Sequence, residues 1–292
     1  MDQSLKVTRR GLLRSAAGLG AAAGALGGGS QLAFADGVLE RAKKDGFIRV
    51  GFANEAPFGY ATPDGKLTGE APEVAKAVLA KIGIPQVDGV LTEFGALIPG
   101  LKAKRFDIIA AGMFINPKRC AEIAFSEPSY GIGQAMLVAK GNPKGIKDYS
   151  TIAGNKDLKL AVMAGAVEAG YAKDAKVPEG QLVMLPDQSS LLAAVQSGRA
   201  DAASLTALSI ADMAKKGDGV ESTTPFGEVA GKSVKGHGGF GFRKDDKDLY
   251  DAFNAALEKF IGSPEHIALV TPFGFGKDYL PNKTMEQLCK GE

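Results

Sequence analysis

Residues 97–111, LIPGLKAKRFDIIAA, are met again at 191–205 as LLAAVQSGRADAASL. With a shift of 94 residues, Leu97 falls on Leu191, Arg105 on Arg199 and Asp107 on Asp201. Each copy reads as a helix, a polar stop, and then an Arg-x-Asp that opens a strand of small apolar residues. Two copies of one unit so far apart predict two similar α/β lobes rather than one large sheet.

The flanking sequence has the same alternation. FIRVGFA (47–53) and LKLAVM (158–163) are apolar strands. PEVAKAVLAKIG (72–83) puts Val74, Val78, Leu79 and Ile82 on one helical face. Near the end, Leu249, Phe253, Leu257 and Phe260 form an amphipathic stripe that stops at Gly262. Strands alternating with helices predict parallel sheets covered on both faces. Glycines dot two otherwise extended runs, FSEPSYGIGQAMLVAKGNP (125–143) and KGHGGFGFRKDD (235–246). Such runs suit a two-stranded hinge that absorbs backbone rotation. The expected lobes are 36–131 plus 237–292, and 132–236, each with its own core and with a ligand cleft between them.

The first 35 residues stand apart. Arg9-Arg10, Leu12-Leu13, an Ala/Gly-rich run and the Ala33-Phe34-Ala35 cleavage pattern read as a twin-arginine export signal. That leader takes four Lys/Arg and one Asp with it, so the 35 basic and 33 acidic residues of the whole chain become 31 and 32. A balanced surface offers no electrostatic footprint for nucleic acid or anionic lipid. The two cysteines, Cys120 and Cys289, are either a disulfide formed after export or two free thiols. With two histidines and no C-x-x-C, no metal site or cofactor is expected.

The run EFGALIPGLKAKRFDIIAAGMFINPKRCAEIAFSEPSYGIGQ (93–134) resembles the extracellular solute-binding proteins of ABC importers, in their polar amino-acid branch. So do Pro57-Phe58, the stretch Asp64–Gly69, the buried-strand Asp107, and Arg119 ahead of FSEPSY. Within that branch NEAPF, EFG, GMFINPKRC and DQSSLLAAVQSGRADA look most like the ectoine/hydroxyectoine binders. The resemblance implies a periplasmic-binding-protein-like α/β fold and a monomer. It also implies a partnership with ABC transporter membrane subunits and no enzymatic activity.

The resemblance also implies a site. Arg119 is placed to fork onto a ligand carboxylate. The backbone N–H groups at Ala166, Val167 and Glu168 open a helix and are expected to cradle the same group. Amino-acid binders usually carry an Asp five residues after the position of Asp201, to pair the α-ammonium. Here it is Thr206. A hydroxyl leaves a primary ammonium unpaired, which points away from an ordinary amino acid. Phe58, Phe94 and Phe114 match three aromatics that box a delocalised cation, and Glu55 accepts its N–H groups. Asn116, with Tyr60 and Asp187, is a rim candidate. A small zwitterion with a cyclic amidinium, such as ectoine or hydroxyectoine, satisfies this set. Alternatives are a polar or cationic amino acid, or a periplasmic dehydratase on the same fold using Glu55 as acid or base.

Overall fold

A computed structural model of the chain describes residues 37–292; the expected leader at 1–35 lies outside them. The first sheet is built from β1 (Phe47–Phe52), β2 (Gln86–Leu91), β3 (Ile108–Phe114), β4 (Ala124–Phe125) and β5 (Tyr130–Ile132). The second holds β6 (Gln134–Ala139), β7 (Leu160–Met163), β8 (Leu182–Leu185), β9 (Ala202–Thr206) and β10 (Val220–Ser222). The chain then returns to the first sheet as β11 (Gly236–Phe242). The orders are β2-β1-β3-β11-β4, with β5 also on β11, and β8-β7-β9-β6-β10. In each sheet three parallel strands are followed by an antiparallel strand paired with the third of them.

The repeat has a physical basis in this topology. Asp107 and Asp201 stand just before the equivalent strands β3 and β9. The Asp107 N–H donates to the Arg49 carbonyl (2.9 Å), and the Asp201 N–H to that of Lys159 (2.8 Å). Their carboxylates accept in return from the N–H of Arg49 (3.4 Å) and of Lys159 (2.7 Å). Each aspartate therefore pins the start of the neighbouring strand. Asp107 is further held by Arg243 (3.0 Å) and Arg41 (3.0 Å). Arg105 and Arg199, the other matched pair, are exposed.

The helices that position the site are α1 (Glu70–Lys81), α2 (Leu97–Lys102), α3 (Pro117–Glu122), α4 (Glu168–Asp174), α5 (Gln188–Gln196) and α6 (Ala207–Lys216). Two more, α7 (Lys247–Phe260) and α8 (Met285–Lys290), close the chain. The predicted stripe of α7 is buried at Leu249, Phe253, Leu257 and Phe260, and α1 buries Val74, Val78 and Leu79. The lobes do not have fully separate cores. One apolar cluster runs from the first sheet into one face of the second, through Met163 and Leu205. A second cluster covers the other face, around Met136, Tyr149 and Val162. Among the described residues no helix is long and apolar enough to cross a membrane.

The two crossing segments pair with each other: Ile132 faces Gly236 and Tyr130 faces Gly238. The glycines there do not serve positive φ, as none of 131, 133, 236 and 238 has one. They make room. A Cβ on Gly236 would fall 2.0 Å from the Phe114 ring. Cys120 and Cys289 form a disulfide that ties α3 to α8.

Candidate functional site

Open parallel sheets place ligands at the carboxyl ends of their strands. Here five such ends supply residues, three in the first lobe and two in the second. From the first lobe, Glu55 follows β1, Phe94 follows β2, and Phe114 and Arg119 follow β3. From the second, Ala166, Val167 and Glu168 follow β7, and Thr206 ends β9. These residues, with Gly112, Met163 and Leu205, line one cavity between the lobes.

Arg119 is buried and fixed from three sides. Asn116 caps α3 by accepting from the Arg119 N–H (3.0 Å), and Pro117 fits the first helical position. Nη1 donates to the Phe114 carbonyl (2.7 Å), and Nη2 crosses to the Gly165 carbonyl of the other lobe (2.9 Å). The guanidinium also lies over the Phe94 ring, 5.4 Å from its centroid. A guanidinium has five N–H donors. The two carbonyl bonds leave the remaining ones for an anion.

Opposite charge is supplied twice. Glu55 Oε1 accepts from Ser209 Oγ (2.6 Å), and Ser209 Oγ lies 3.1 Å from the Thr206 hydroxyl. Burial pushes the Glu55 carboxyl up to about 7, against the pull of Ser209 and Arg119. Glu168 is pushed up to about 8, chiefly by burial, with Glu55 adding to the rise. Its own amide, Arg119 and the Val167 amide draw it down. Gln134, oriented with its amide nitrogen toward them, donates to Glu168 Oε1 (2.9 Å) and to the Leu205 carbonyl (3.0 Å). Glu168 Oε2 is left without a partner among the described residues. One end of the cavity thus carries a guanidinium, and two carboxyls face it.

Of the expected site residues, Glu55, Phe94, Phe114, Arg119, Ala166, Val167 and Thr206 come together at this cavity. Phe58 and Asn116 do not. The turn closed by the Glu55–Gly59 hydrogen bonds aims Phe58 inward, where it packs on Tyr130 (5.2 Å between centroids) and Phe275 (5.3 Å). Asn116 acts on Arg119 as a helix cap, and Asp187 likewise caps α5. Tyr60 lies beside Lys216, away from the cavity. The three-ring box is reduced: Phe114 is free to face a ligand, while Arg119 covers one face of Phe94. The amide cradle is also smaller, because the Ala166 N–H is spent on the Met163 carbonyl (3.1 Å). Thr206 caps α6 by accepting from the Ser209 N–H (3.4 Å).

The residue that sequence reasoning missed is the Glu168 side chain. An acidic residue in the first turn of a helix has an ordinary explanation in the helix dipole. The buried Gln134 that holds it belongs to a strand start with no charge signal. Among the described residues no group of three or more His, Cys, Asp or Glu is arranged to hold a metal.

Residues 48–276 match the model of the bacterial extracellular solute-binding proteins, family 3. A probable amino-acid ABC transporter periplasmic-binding protein of Sinorhizobium fredii is 40% identical over 258 residues, 86% of this chain and 85% of that protein. Among solved structures, EhuB in complex with hydroxyectoine is 39% identical, with a TM-score of 0.80 over 87% of this chain and 98% of that one. The ancestral amino acid-binding protein AncCDT-1, a precursor of cyclohexadienyl dehydratase, is 29% identical, with a TM-score of 0.71 over 80% and 98%.

Proposed function

The chain belongs to family 3 of the bacterial extracellular solute-binding proteins, and we propose that it is the periplasmic receptor of an ABC importer for a small zwitterion, with hydroxyectoine or ectoine as the solute. The observation that carries this reading is the charge layout of the cavity, where Arg119 stands against Glu55 and Glu168. A ligand carboxylate meets the spare N–H groups of Arg119 and the Val167 amide. Its cationic edge donates to the carboxyls, charge-assisted bonds that gain strength in a dry site. Phe114 and the uncovered part of Phe94 add ring faces to a flat amidinium. The likeness to the hydroxyectoine complex supports the solute. So does Thr206, which serves as a helix cap where amino-acid binders place an acid.

The lobes close on the solute as a clamp, turning on the paired segments near 131–133 and 235–236, so that binding shifts the population toward the closed form. That form is the one offered to the membrane subunits, and a twin-arginine leader delivers the protein to the periplasm. The reading assigns no chemical step to Glu55.

One observation favours a second reading. Glu168 is a carboxyl with an unpartnered oxygen in the cavity, and it can pair an α-ammonium in place of the missing aspartate. A polar or cationic amino acid is then the solute. Titration calorimetry with hydroxyectoine, ectoine, arginine, glutamine and histidine separates the two. Tight binding of hydroxyectoine with no competition by the amino acids supports the first reading. Micromolar binding of an amino acid with none of hydroxyectoine replaces it with the second.

A further inference from the structure

Gln188 is the first residue of α5, in the second lobe, and is buried. It does not line the ligand cavity. Its side-chain amide instead crosses to the first lobe and pairs with both polar groups of a single residue. The Ala56 N–H donates to Gln188 Oε1 (2.9 Å), and Gln188 Nε2 donates to the Ala56 carbonyl (2.9 Å). Nε2 also donates to the Ser209 carbonyl (3.3 Å), inside its own lobe. The pairing is that of a one-residue β-bridge in which a glutamine side chain replaces the second strand. The alignment requires an amide, because one group must accept while its neighbour donates.

The position of the pair matters. Ala56 follows Glu55, and Ser209, whose carbonyl anchors Gln188, is the residue whose hydroxyl holds Glu55 Oε1. On the far side of the cavity the lobes meet again. There Arg119 Nη2 reaches the Gly165 carbonyl, and a Cβ on Gly165 would fall 2.5 Å from the Gly95 Cα. The ligand cavity lies between these two seams. Gln188 also borders an outer pocket with Asn54, Tyr60 and Lys216. Water can therefore take over its hydrogen bonds when the lobes part, which makes the pair reversible rather than a permanent part of the core.

We propose that Gln188 is the closure latch of this protein, a positioning residue that sets the ratio of closed to open lobes without touching the solute. This rests on the reading of two lobes that close as a clamp, and not on which solute they hold. A bond made only in the closed form multiplies the apparent affinity by its effect on the closed fraction. It also orders the Ala56 backbone, and with it the carboxyl of Glu55.

The test compares the unaltered protein with Gln188→Ala and Gln188→Glu. The glutamate keeps the size and the acceptor for the Ala56 N–H, but removes the donor and sets an oxygen against the Ala56 carbonyl. Spin labels at the exposed Asp88 and Lys173, one on each lobe, report the interlobe distance with and without hydroxyectoine. Stopped-flow binding gives the rates. The expected result is a closed-to-open ratio lowered about tenfold in both variants, with solute release faster by a similar factor. Association changes little, and a melting temperature close to that of the unaltered protein identifies a variant as folded. If Gln188→Ala does not fold, Gln188→Glu carries the comparison. Distance distributions and release rates equal to those of the unaltered protein overturn the latch. If the unaltered protein does not bind hydroxyectoine, the solute assignment fails. The distance distributions without solute then decide the latch on their own.

Discussion

Glu55 and Ser209 are 154 residues apart in sequence and on different lobes, yet their side chains meet at 2.6 Å. The acid is therefore held in place by the lobe that closes over it, and its proton is part of the binding equilibrium. With Glu55 raised to about 7 and Glu168 to about 8, the cavity holds at least part of a proton at neutral pH. A ligand cation favours the charged carboxyls, lowers both values and releases that proton. Affinity should rise as pH increases from about 6 to about 9 and level off above the Glu168 value. Calorimetry in buffers of different ionisation enthalpy reads the proton count. Glu168→Gln should flatten the upper part of the pH profile.

Among the described residues that line the cavity, Arg119 alone is basic. Its truncation to alanine leaves the carboxylate of a bound zwitterion without a counter-charge. The expected loss is about 2–5 kcal/mol, or a dissociation constant raised by at least roughly 30-fold. Arg119→Lys should recover little of it, since an ammonium cannot keep the Phe114 and Gly165 carbonyls and a forked carboxylate together. Phe94→Ala should cost less, about 0.5–2 kcal/mol, because one ring face serves Arg119 rather than the solute. Titration calorimetry on the three variants checks the order.

Glu70, at the start of α1, is buried, and among the described residues only Ser129 stands near enough to draw on its carboxyl. Burial raises it from 4.5 to about 8, with Ser129 drawing it back a little. A carboxyl raised on folding stabilises the protein fully below its unfolded value, and that contribution is lost as pH climbs through the folded value. Stability should fall between about pH 4.5 and 8 for this reason. Glu70→Gln should raise the melting temperature by several degrees at pH 9 and leave it nearly unchanged at pH 4.5. Scanning calorimetry at the two pH values measures it.

The Cys120–Cys289 bridge closes a span of 169 residues and lies one residue from Arg119. By chain entropy such a loop stabilises the folded state by about 5 kcal/mol. Reduction, or Cys289→Ser, should lower the melting temperature and also weaken binding several-fold, because α3 loses its anchor on α8. Thermal unfolding and calorimetry with and without a phosphine reductant distinguish the two effects.

The two-lobed fold was legible because its signals are local and repeated. Asp107 and Asp201 can be matched by eye, and in space they do the same work on Arg49 and Lys159. The strand-end positions of Glu55, Phe94, Phe114, Arg119 and Thr206 follow from the same alternation. What sequence did not give is side-chain direction. Phe58 sits among residues that do line the cavity, but a short turn rotates it into an aromatic cluster. Glu168 was visible only as a backbone donor. Its carboxyl entered the site because Gln134, on a strand 34 residues earlier, holds one oxygen and leaves the other free. The disulfide stayed open for a similar reason, since spacing carries no information about the 5.7 Å between the two Cα atoms.

Gly236 lies on the strand that carries the chain back from the second lobe, and the Phe114 ring occupies the place its side chain would take. A wall of the cavity and the strand that joins the two lobes are therefore one packed unit. A methyl group at 236 would move the ring before it touched anything in the cavity, so an inherited change in that strand becomes a change in the shape of the pocket. In a lineage of such receptors, new preferences can begin in the connecting strand and reach the pocket second.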